Sequence, residues 1–86
     1  MDDLTKLPNI GNVLKEQLRQ AGITSPAELK QVGSKEAWKR IRENDPSACY
    51  MRLCSLQGAI SGVRWHDLPE SIKADLKLFY EQQKGR

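Results

Sequence analysis

Residues that start and stop helices divide this 86-residue chain into short segments, and this punctuation constrains the fold more than any other feature. Gly22, Gly33 and Gly62 each follow a run in which apolar residues recur at helical spacing, and glycine commonly ends helices. Ser25 precedes a proline and stands three residues before Glu28, which is the pattern of a capping box. No stretch alternates apolar and polar residues as a half-buried strand does. The pattern therefore predicts an all-α protein.

About five helices are expected to form a compact bundle, after one helical turn at most within residues 2–7. The segment 47–61 is predicted to be the central helix, because it is apolar over more than half of its circumference and Arg52 is its single charged residue. Gly58 and Gly62, four residues apart, suggest that another helix approaches it closely. The expected helix starts are Asn12, Pro26, Ser34 as the cap of the third helix, Ser47 and Pro69. The residues expected to face the core include Val13, Leu14, Leu18, Leu29, Trp38, Ile41, Leu53, Leu56, Leu76 and Phe79.

The chain has the length of one domain with a small core, since typical domains have about 100–150 residues. Residues 1–86 are predicted to form a single domain with its folded core over residues 4–82. The net charge of +3 permits a nucleic-acid partner without requiring one. Asp2 and Asp3 stand where a signal peptide would be basic, and no uncharged stretch approaches the roughly 20 residues of a membrane span. We therefore expect a cytoplasmic protein with no membrane contact.

Catalysis is not expected from the residue inventory. Cys49 and Cys54 lie five residues apart in one predicted helix, where they point to different faces and cannot form a disulfide. They are interpreted as small buried residues in a reducing compartment. His66 is the single histidine, and no nucleophile motif or further metal ligands accompany it. We predict no enzyme, metal or cofactor, and expect His66 to bond backbone or water while Trp65 and Leu68 enter the core.

The turn from Leu7 to Gly11 resembles a helix-hairpin-helix turn, in which a tight loop opens a helix. The backbone amides of such a loop point outward without partners, and the helix dipole favours an anion such as a DNA phosphate. Asn9 stands where the first glycine of that motif usually lies, and Lys15 replaces a small residue, so a turn kept for packing is an equal alternative. The candidate phosphate-binding residues here are Asn9, Ile10, Gly11, Asn12, Val13 and Lys15.

A second candidate DNA-binding surface lies on the third helix. Lys35 and Lys39 are four residues apart and Lys35 and Arg42 are seven apart, so the three share a helical face. Glu36 and Arg40 are spaced for an ion pair that partly neutralises this flank. Nothing aromatic interleaves these charges on that face, so stacking on single-stranded bases is not predicted. A solvated helix face without a partner is the alternative interpretation.

Protein contact would instead need exposed apolar side chains. The helical phase places Val63, Leu78 and Tyr80 least firmly in the core, so these three are the candidate protein-contact residues. The two binding modes differ in one measurable property, because DNA binding weakens steeply with salt as counterions are released.

Motifs spread over residues 4–80 resemble the C-terminal domain of the TfoX/Sxy family of bacterial competence regulators. The more specific part is Gly-Ala-Ile-x-Gly from Gly58 to Gly62, followed by Trp-x-Asp-Leu-Pro from Trp65 to Pro69. The resemblance implies an all-helical domain related to helix-hairpin-helix or SAM-like bundles. It also implies a role in switching on DNA-uptake genes, where family members act with the cyclic-AMP receptor protein at its promoters and carry a further N-terminal domain. The other residues that carry the match are Leu7 to Gly11, Ala21 to Ile23, Leu29, Val32, Gly33, Ala37, Trp38, Leu53, Leu56 and Gln57.

The expected function is therefore that of a non-enzymatic regulatory module that works by binding. Its first expected mode is contact with a transcription factor such as the cyclic-AMP receptor protein, with RNA polymerase, or with a second copy of the chain. The alternative is a DNA-binding module that docks backbone phosphates without reading the sequence. A purely structural domain that orients a neighbour is a third alternative.

Overall fold

Five α-helices and two 3₁₀ turns make up the computed structural model, which describes residues 3–84. No strand occurs among these residues, which confirms the all-α prediction. None of their helices is both long and apolar enough to cross a membrane. The ends of the predicted single domain, residues 1, 2, 85 and 86, lie outside the described part. The 3₁₀ turns are Leu4–Lys6 and Trp65–Asp67, and the helices are α1 (Asn12–Gln20), α2 (Pro26–Val32), α3 (Ser34–Asn44), α4 (Tyr50–Ser61) and α5 (Glu70–Lys84).

Helix α4 lies at the centre of the bundle, as its apolar sequence predicts. It packs against α2, α3, α5 and the second 3₁₀ turn. Leu53, Leu56 and Ala59 on this helix are fully buried. Burial of a leucine side chain contributes about 1.5–3 kcal/mol, so this helix supplies a large share of the hydrophobic stabilisation. Buried side chains from the rest of the chain complete the core: Leu4, Leu14, Leu18, Ile23, Leu29, Trp38, Ile41, Leu68 and Leu76.

Two predicted helix starts are wrong because the side chains concerned form other hydrogen bonds. Ser34 is the first residue of α3 rather than its cap, and its hydroxyl donates to Gln57 Oε1 at 2.7 Å. Ser47 lies in a turn before α4, where its backbone N–H and its hydroxyl donate to Asp45 Oδ1 at 3.0 and 2.5 Å. Helix α4 therefore begins at Tyr50, three residues later than expected.

Two residues that were assigned to the core are exposed instead. Cys49 precedes α4 and faces solvent, whereas Cys54 is buried as expected, and burial raises the pKa of its thiol. Val13 is 73% exposed, although Leu14 and Leu18 on the same helix are buried. Successive residues on a helix are about 100° apart, so Val13 and Leu14 cannot both point to the centre of the core.

Gly58 lies where a side chain and the backbone of other segments approach α4 closely. A Cβ at this position would lie 2.5 Å from Asn9 Nδ2 and 2.7 Å from the Val63 carbonyl oxygen. The close neighbours are thus the turn before α1 and the segment after α4, and the expectation of another helix is wrong. Gly62 has a different role, since it ends α4 in a left-handed conformation with φ of 76°.

An aromatic cluster joins α3, α4 and α5. The Trp38 ring makes edge contacts with Phe79 and Tyr80 at centroid distances of 5.9 and 5.7 Å, and Tyr80 contacts Tyr50 at 5.8 Å. The Tyr50 hydroxyl donates to the carbonyl oxygen of Lys73 at 3.1 Å. Burial raises the pKa of Tyr50 to about 12. The cluster therefore fixes α5 on the bundle through both apolar contact and a hydrogen bond to its backbone.

The segment between α4 and α5 anchors to the core through its apolar residues, as predicted. Leu68 is buried, and Trp65 is half-buried and packs against the core. His66 is exposed, and its ring stacks on that of Trp65 with centroids 3.9 Å apart. Its backbone carbonyl accepts from Lys73 Nζ at 3.0 Å, which ties this segment to α5.

Candidate binding site

The side chain of Asn9 holds the turn before α1. Its Nδ2 donates to the Val63 carbonyl at 3.0 Å and to the Ser55 carbonyl at 3.4 Å, and its Oδ1 accepts from the Trp65 amide at 3.2 Å. The backbone of Asn9 is left-handed with φ of 71°, a conformation that asparagine adopts more readily than most residues. The side chain of this candidate phosphate-binding residue thus bonds the protein itself, as the packing alternative requires.

The N-terminal end of α1 is open to solvent. Gly11 is its N-cap residue, and nothing lies within 4 Å of the place where a Cβ would be. The amides of Asn12 and Val13 have no hydrogen-bond acceptor within residues 3–84. Ile10, another candidate residue, is buried. This helix end presents free donors and the positive end of a dipole, which suit a carboxylate or a phosphate.

Lys15, the candidate cation beside this helix end, is already paired. Its Nζ lies 3.2 Å from Asp3 Oδ2. A backbone hydrogen bond from Thr5, and then Lys15, hold the pKa of Asp3 below its ordinary value, so the carboxylate stays charged. A phosphate that approached Lys15 would also meet this negative charge, and the two opposite charges largely cancel.

Two of the three cations predicted on the basic face of α3 are engaged within the protein. Lys35 Nζ lies 2.7 Å from Asp75 Oδ2 and 5.6 Å from the centre of the Phe79 ring. Arg42 lies over Trp38, with 5.2 Å between its Cζ and the ring centre. The expectation that nothing aromatic accompanies these charges is wrong, because Phe79 arrives from a distant part of the chain and Arg42 folds back over its own helix.

Lys39 is the freest of the three candidate cations on α3. It is exposed and has no ion pair within the described residues, whereas Lys35 is engaged with α5 and Arg42 covers an aromatic ring. Arg40 pairs with Glu36 at 3.2 Å, as their spacing predicts. Two of the three candidate cations thus contribute to packing, which leaves a single free lysine rather than a basic patch.

The exposed apolar residues differ from the predicted set. Leu78 is 60% exposed, as expected, whereas Val63 and Tyr80 are half-buried and pack against the core. Tyr80 is covered because it joins the aromatic cluster, and the Val63 side chain lies against the core in a segment whose backbone is held by Asn9. Met51, which is 52% exposed, was not among the predicted residues, and Val13, which was predicted in the core, is still more exposed.

Val13 and Met51 lie on the same groove, between the N-terminal ends of α1 and α4. We call it the α1–α4 groove; it has a volume of about 340 Å³ and includes Gly11, Cys49 and Arg52. Each of the two apolar residues is the second residue of its helix, and neither helix has an acidic residue in its first turn. None of the described residues that line this groove is an aspartate or a glutamate.

The N-terminal end of α4 is also without a side-chain cap. Its N-cap residue, Cys49, forms no capping hydrogen bond. Arg52 in the first turn pairs with Asp45 at 2.9 Å, and Gln17 Nε2 donates to the same carboxylate at 3.0 Å. Donors from Ser47, and then Arg52, lower the pKa of Asp45 to about 2. The hydrogen-bonding capacity of the Asp45 carboxylate is thus largely used within the protein. The N-terminal ends of α1 and α4, which carry the positive ends of the helix dipoles, both face the groove.

Comparison with known proteins assigns this fold to a family. The TfoX C-terminal domain matches residues 1–80. The chain belongs to the TfoX C-terminal domain family. The protein Sxy of Escherichia coli (strain K12) is 32% identical over 73 residues, a match that covers 85% of this TfoX C-terminal domain and 35% of Sxy. The chain therefore spans little more than a third of the length of this relative.

Two crystal structures of proteins from Listeria monocytogenes share the TfoX C-terminal fold. An uncharacterized protein in a triclinic form superimposes with a TM-score of 0.95 at 52% identity, over 98% of this chain and 96% of that chain. A protein of unknown function in a tetragonal form superimposes with a TM-score of 0.92 at 53% identity, over 94% of this chain and 99% of that chain. Both resolved chains thus have almost the same extent as this domain.

Proposed function

We propose that this TfoX C-terminal domain is a non-enzymatic regulatory module that acts by binding another protein. The observation that carries the proposal is the α1–α4 groove, on which Val13 and Met51 expose apolar surface. Clustered exposed apolar side chains are typical of protein-contact surfaces. Membership of the TfoX family supports a regulatory role.

The partner that we propose belongs to the transcription machinery. The resemblance to competence regulators, together with the similarity to Sxy, favours the cyclic-AMP receptor protein or RNA polymerase. The domain would act in the cytoplasm, where DNA-uptake genes are switched on. A second copy of the chain is the remaining protein partner to test.

Binding of purified cyclic-AMP receptor protein and RNA polymerase to the immobilised domain tests this function. We expect binding that Val13→Asp and Met51→Asp each weaken by about tenfold or more, as for residues at the centre of an interface. Ala27→Asp is the matched control, since Ala27 is also an exposed apolar residue in the second position of its helix but lies on α2, outside the groove. Analytical ultracentrifugation measures self-association. The proposal is contradicted if the domain binds none of the three partners. It is also contradicted if neither groove substitution changes the affinity.

DNA binding through backbone phosphates is the second candidate function. It is favoured by the open N-terminal end of α1 and by the exposed Lys39. Duplex DNA should then shift the amide signals of residues 10–15, and the shifts should decrease steeply with salt. Gly11→Asp places a negative charge at the helix end and should abolish the shifts, whereas Gly11→Ala leaves the amides free and should preserve them. The absence of shifts at low salt removes this candidate.

A further inference from the structure

We propose that the α1–α4 groove binds a segment of a partner protein in which aliphatic side chains stand next to a carboxylate. The inference rests on the proposed protein-binding function and specifies the chemistry of the partner. Two properties of the groove lead to it: apolar side chains at its mouth, and a positive electrostatic character along its walls.

The apolar side chains occupy positions where stability alone favours acidic residues. Val13 and Met51 are each the second residue of a helix, where an aspartate or glutamate interacts favourably with the positive end of the dipole. Both side chains are mostly exposed, so they contribute little to the core. Local sequence choices that oppose stability in this way are expected at functional surfaces. The pair therefore indicates contact with apolar side chains of a partner.

The positive character comes mainly from the backbone. Two helix N-termini without side-chain caps meet at the groove, and the amides of Asn12 and Val13 have no acceptor within residues 3–84. Arg52 adds little net charge, because its guanidinium group is paired with Asp45, a carboxylate that also accepts from Ser47 and Gln17. No described residue that lines the groove carries a carboxylate. A carboxylate on the occupant would complement this charge and accept hydrogen bonds from the free amides.

A peptide segment fits this combination better than a DNA backbone does. DNA binding draws its affinity from several lysine or arginine contacts to successive phosphates. Within the described residues, Arg52 is the one cation that lines the groove, and it is paired with Asp45, just as the nearby Lys15 is paired with Asp3. A peptide places an acidic and an aliphatic side chain within one or two residues of each other. It can therefore satisfy the helix ends and cover Val13 and Met51 together.

Selection of peptides tests this chemistry directly. A phage-displayed library of random dodecapeptides is selected on the full chain and counter-selected on a variant with Val13→Asp and Met51→Asp. We expect the enriched peptides to carry aspartate or glutamate beside leucine, isoleucine, valine or methionine. In a synthetic peptide of the enriched sequence, replacement of the carboxylate by its amide should weaken binding about tenfold or more.

Matched variants of the domain separate loss of contact from loss of folding. Met51→Gln keeps the length of the side chain and adds no charge, and it should also weaken the peptide by about tenfold. Ala27→Asp on α2 should leave the affinity unchanged, since Ala27 does not line the groove. Thermal unfolding checks each variant, and none is expected to lower the melting temperature by more than a few degrees, because Val13, Met51 and Ala27 are all exposed.

Each other outcome overturns the proposal in a recognisable way. Enriched peptides that are basic or uncharged, or an affinity that the amide replacement leaves unchanged, would refute the acidic partner while the protein-binding function stood. A library that yields no groove-dependent sequence also refutes it. Duplex DNA that shifts the amides of residues 11–14 and is displaced by no acidic peptide would assign the groove to phosphate. If the transcription proteins also ignore the groove substitutions, the protein-binding function fails as well.

Discussion

Replacement of Gly58 by alanine should destabilise the domain, although it replaces glycine by a better helix former. Alanine in a helix interior is favoured over glycine by about 1 kcal/mol. The new Cβ would, however, lie 2.5 Å from Asn9 Nδ2 and 2.7 Å from the Val63 carbonyl oxygen, closer than real contacts allow. Relief requires the Asn9 side chain or the backbone after α4 to move, and the crowding adds to the cost.

The magnitude follows from the bonds that this movement breaks. Asn9 bonds the Val63 carbonyl and the Trp65 amide at 3.0 and 3.2 Å, and each bond contributes about 1 kcal/mol. Overpacking costs about 1–3 kcal/mol more, and the gain in helix propensity offsets part of the loss. We expect a net destabilisation of about 2–4 kcal/mol. For a domain of this size, a loss at the lower end of this range already lowers the melting temperature by about 8–16 °C.

Thermal unfolding followed by circular dichroism measures the effect, with urea unfolding as a second measurement. Gly11→Ala is the control for a glycine with free space and extended backbone, and it should cost no more than about 1 kcal/mol, the preference for glycine over alanine at an N-cap. Gly62→Ala should cost about 1 kcal/mol through backbone strain alone. The Asn9→Ala, Gly58→Ala double variant should lose less than the sum of the two single losses, because Nδ2 is then absent. A Gly58→Ala domain as stable as the wild type would refute this reasoning.

Three further predictions concern charge and titration. Val13→Asp should stabilise the domain by about 0.3–1 kcal/mol through the α1 dipole, more at low salt, and a lowered melting temperature would count against the dipole argument. The pKa of Asp45, about 2 in the fold, lies below its unfolded value of about 3.9. The charged Asp45 therefore stabilises the fold fully above its unfolded pKa, and this stabilisation is lost as the pH falls through about 2. In urea unfolding across this pH range, Asp45→Asn should not show that loss of stability. The pKa of Tyr50 is raised to about 12, so its neutral form stabilises the fold fully below about pH 10, and this stabilisation is lost as the pH rises through about 12. The free energy of unfolding of Tyr50→Phe should therefore depend less on pH in this alkaline range.

The helix ends that depend on neighbouring residues were predictable from the sequence. Gly33 and Gly62 directly follow α2 and α4, and Ser25 accepts from the amide of Glu28 at 3.2 Å as a capping residue should. The start of α4 was not predictable in this way, because Ser47 had two competing local roles. Ser47 donates to the carboxylate of Asp45 and lies in a turn, so helix α4 begins only at Tyr50. With this later start, Cys49 and Met51 are exposed beside the groove.

The candidate site was harder to predict because it depends on contacts between distant residues. Lys35 and Arg42 do share a face of α3, but periodicity could not reveal that Asp75 and Phe79 of α5 would lie against Lys35. The phase of a helix is also least certain in its first turn, where Val13 has few neighbours that fix its direction. The exposure of Val13 could therefore be seen only in the three-dimensional structure.

The Asn9 turn has a consequence for the kinetics of folding. Its side chain bonds groups that lie 46, 54 and 56 positions further along the chain. Closing such long loops carries an entropic cost that short-range helix formation does not. Helices α2 to α5 can therefore assemble first, and the turn that precedes α1 can join them later. A substitution at Asn9 should then increase the unfolding rate and leave the folding rate nearly unchanged. The Asn9 side chain would thus lengthen the lifetime of the native state.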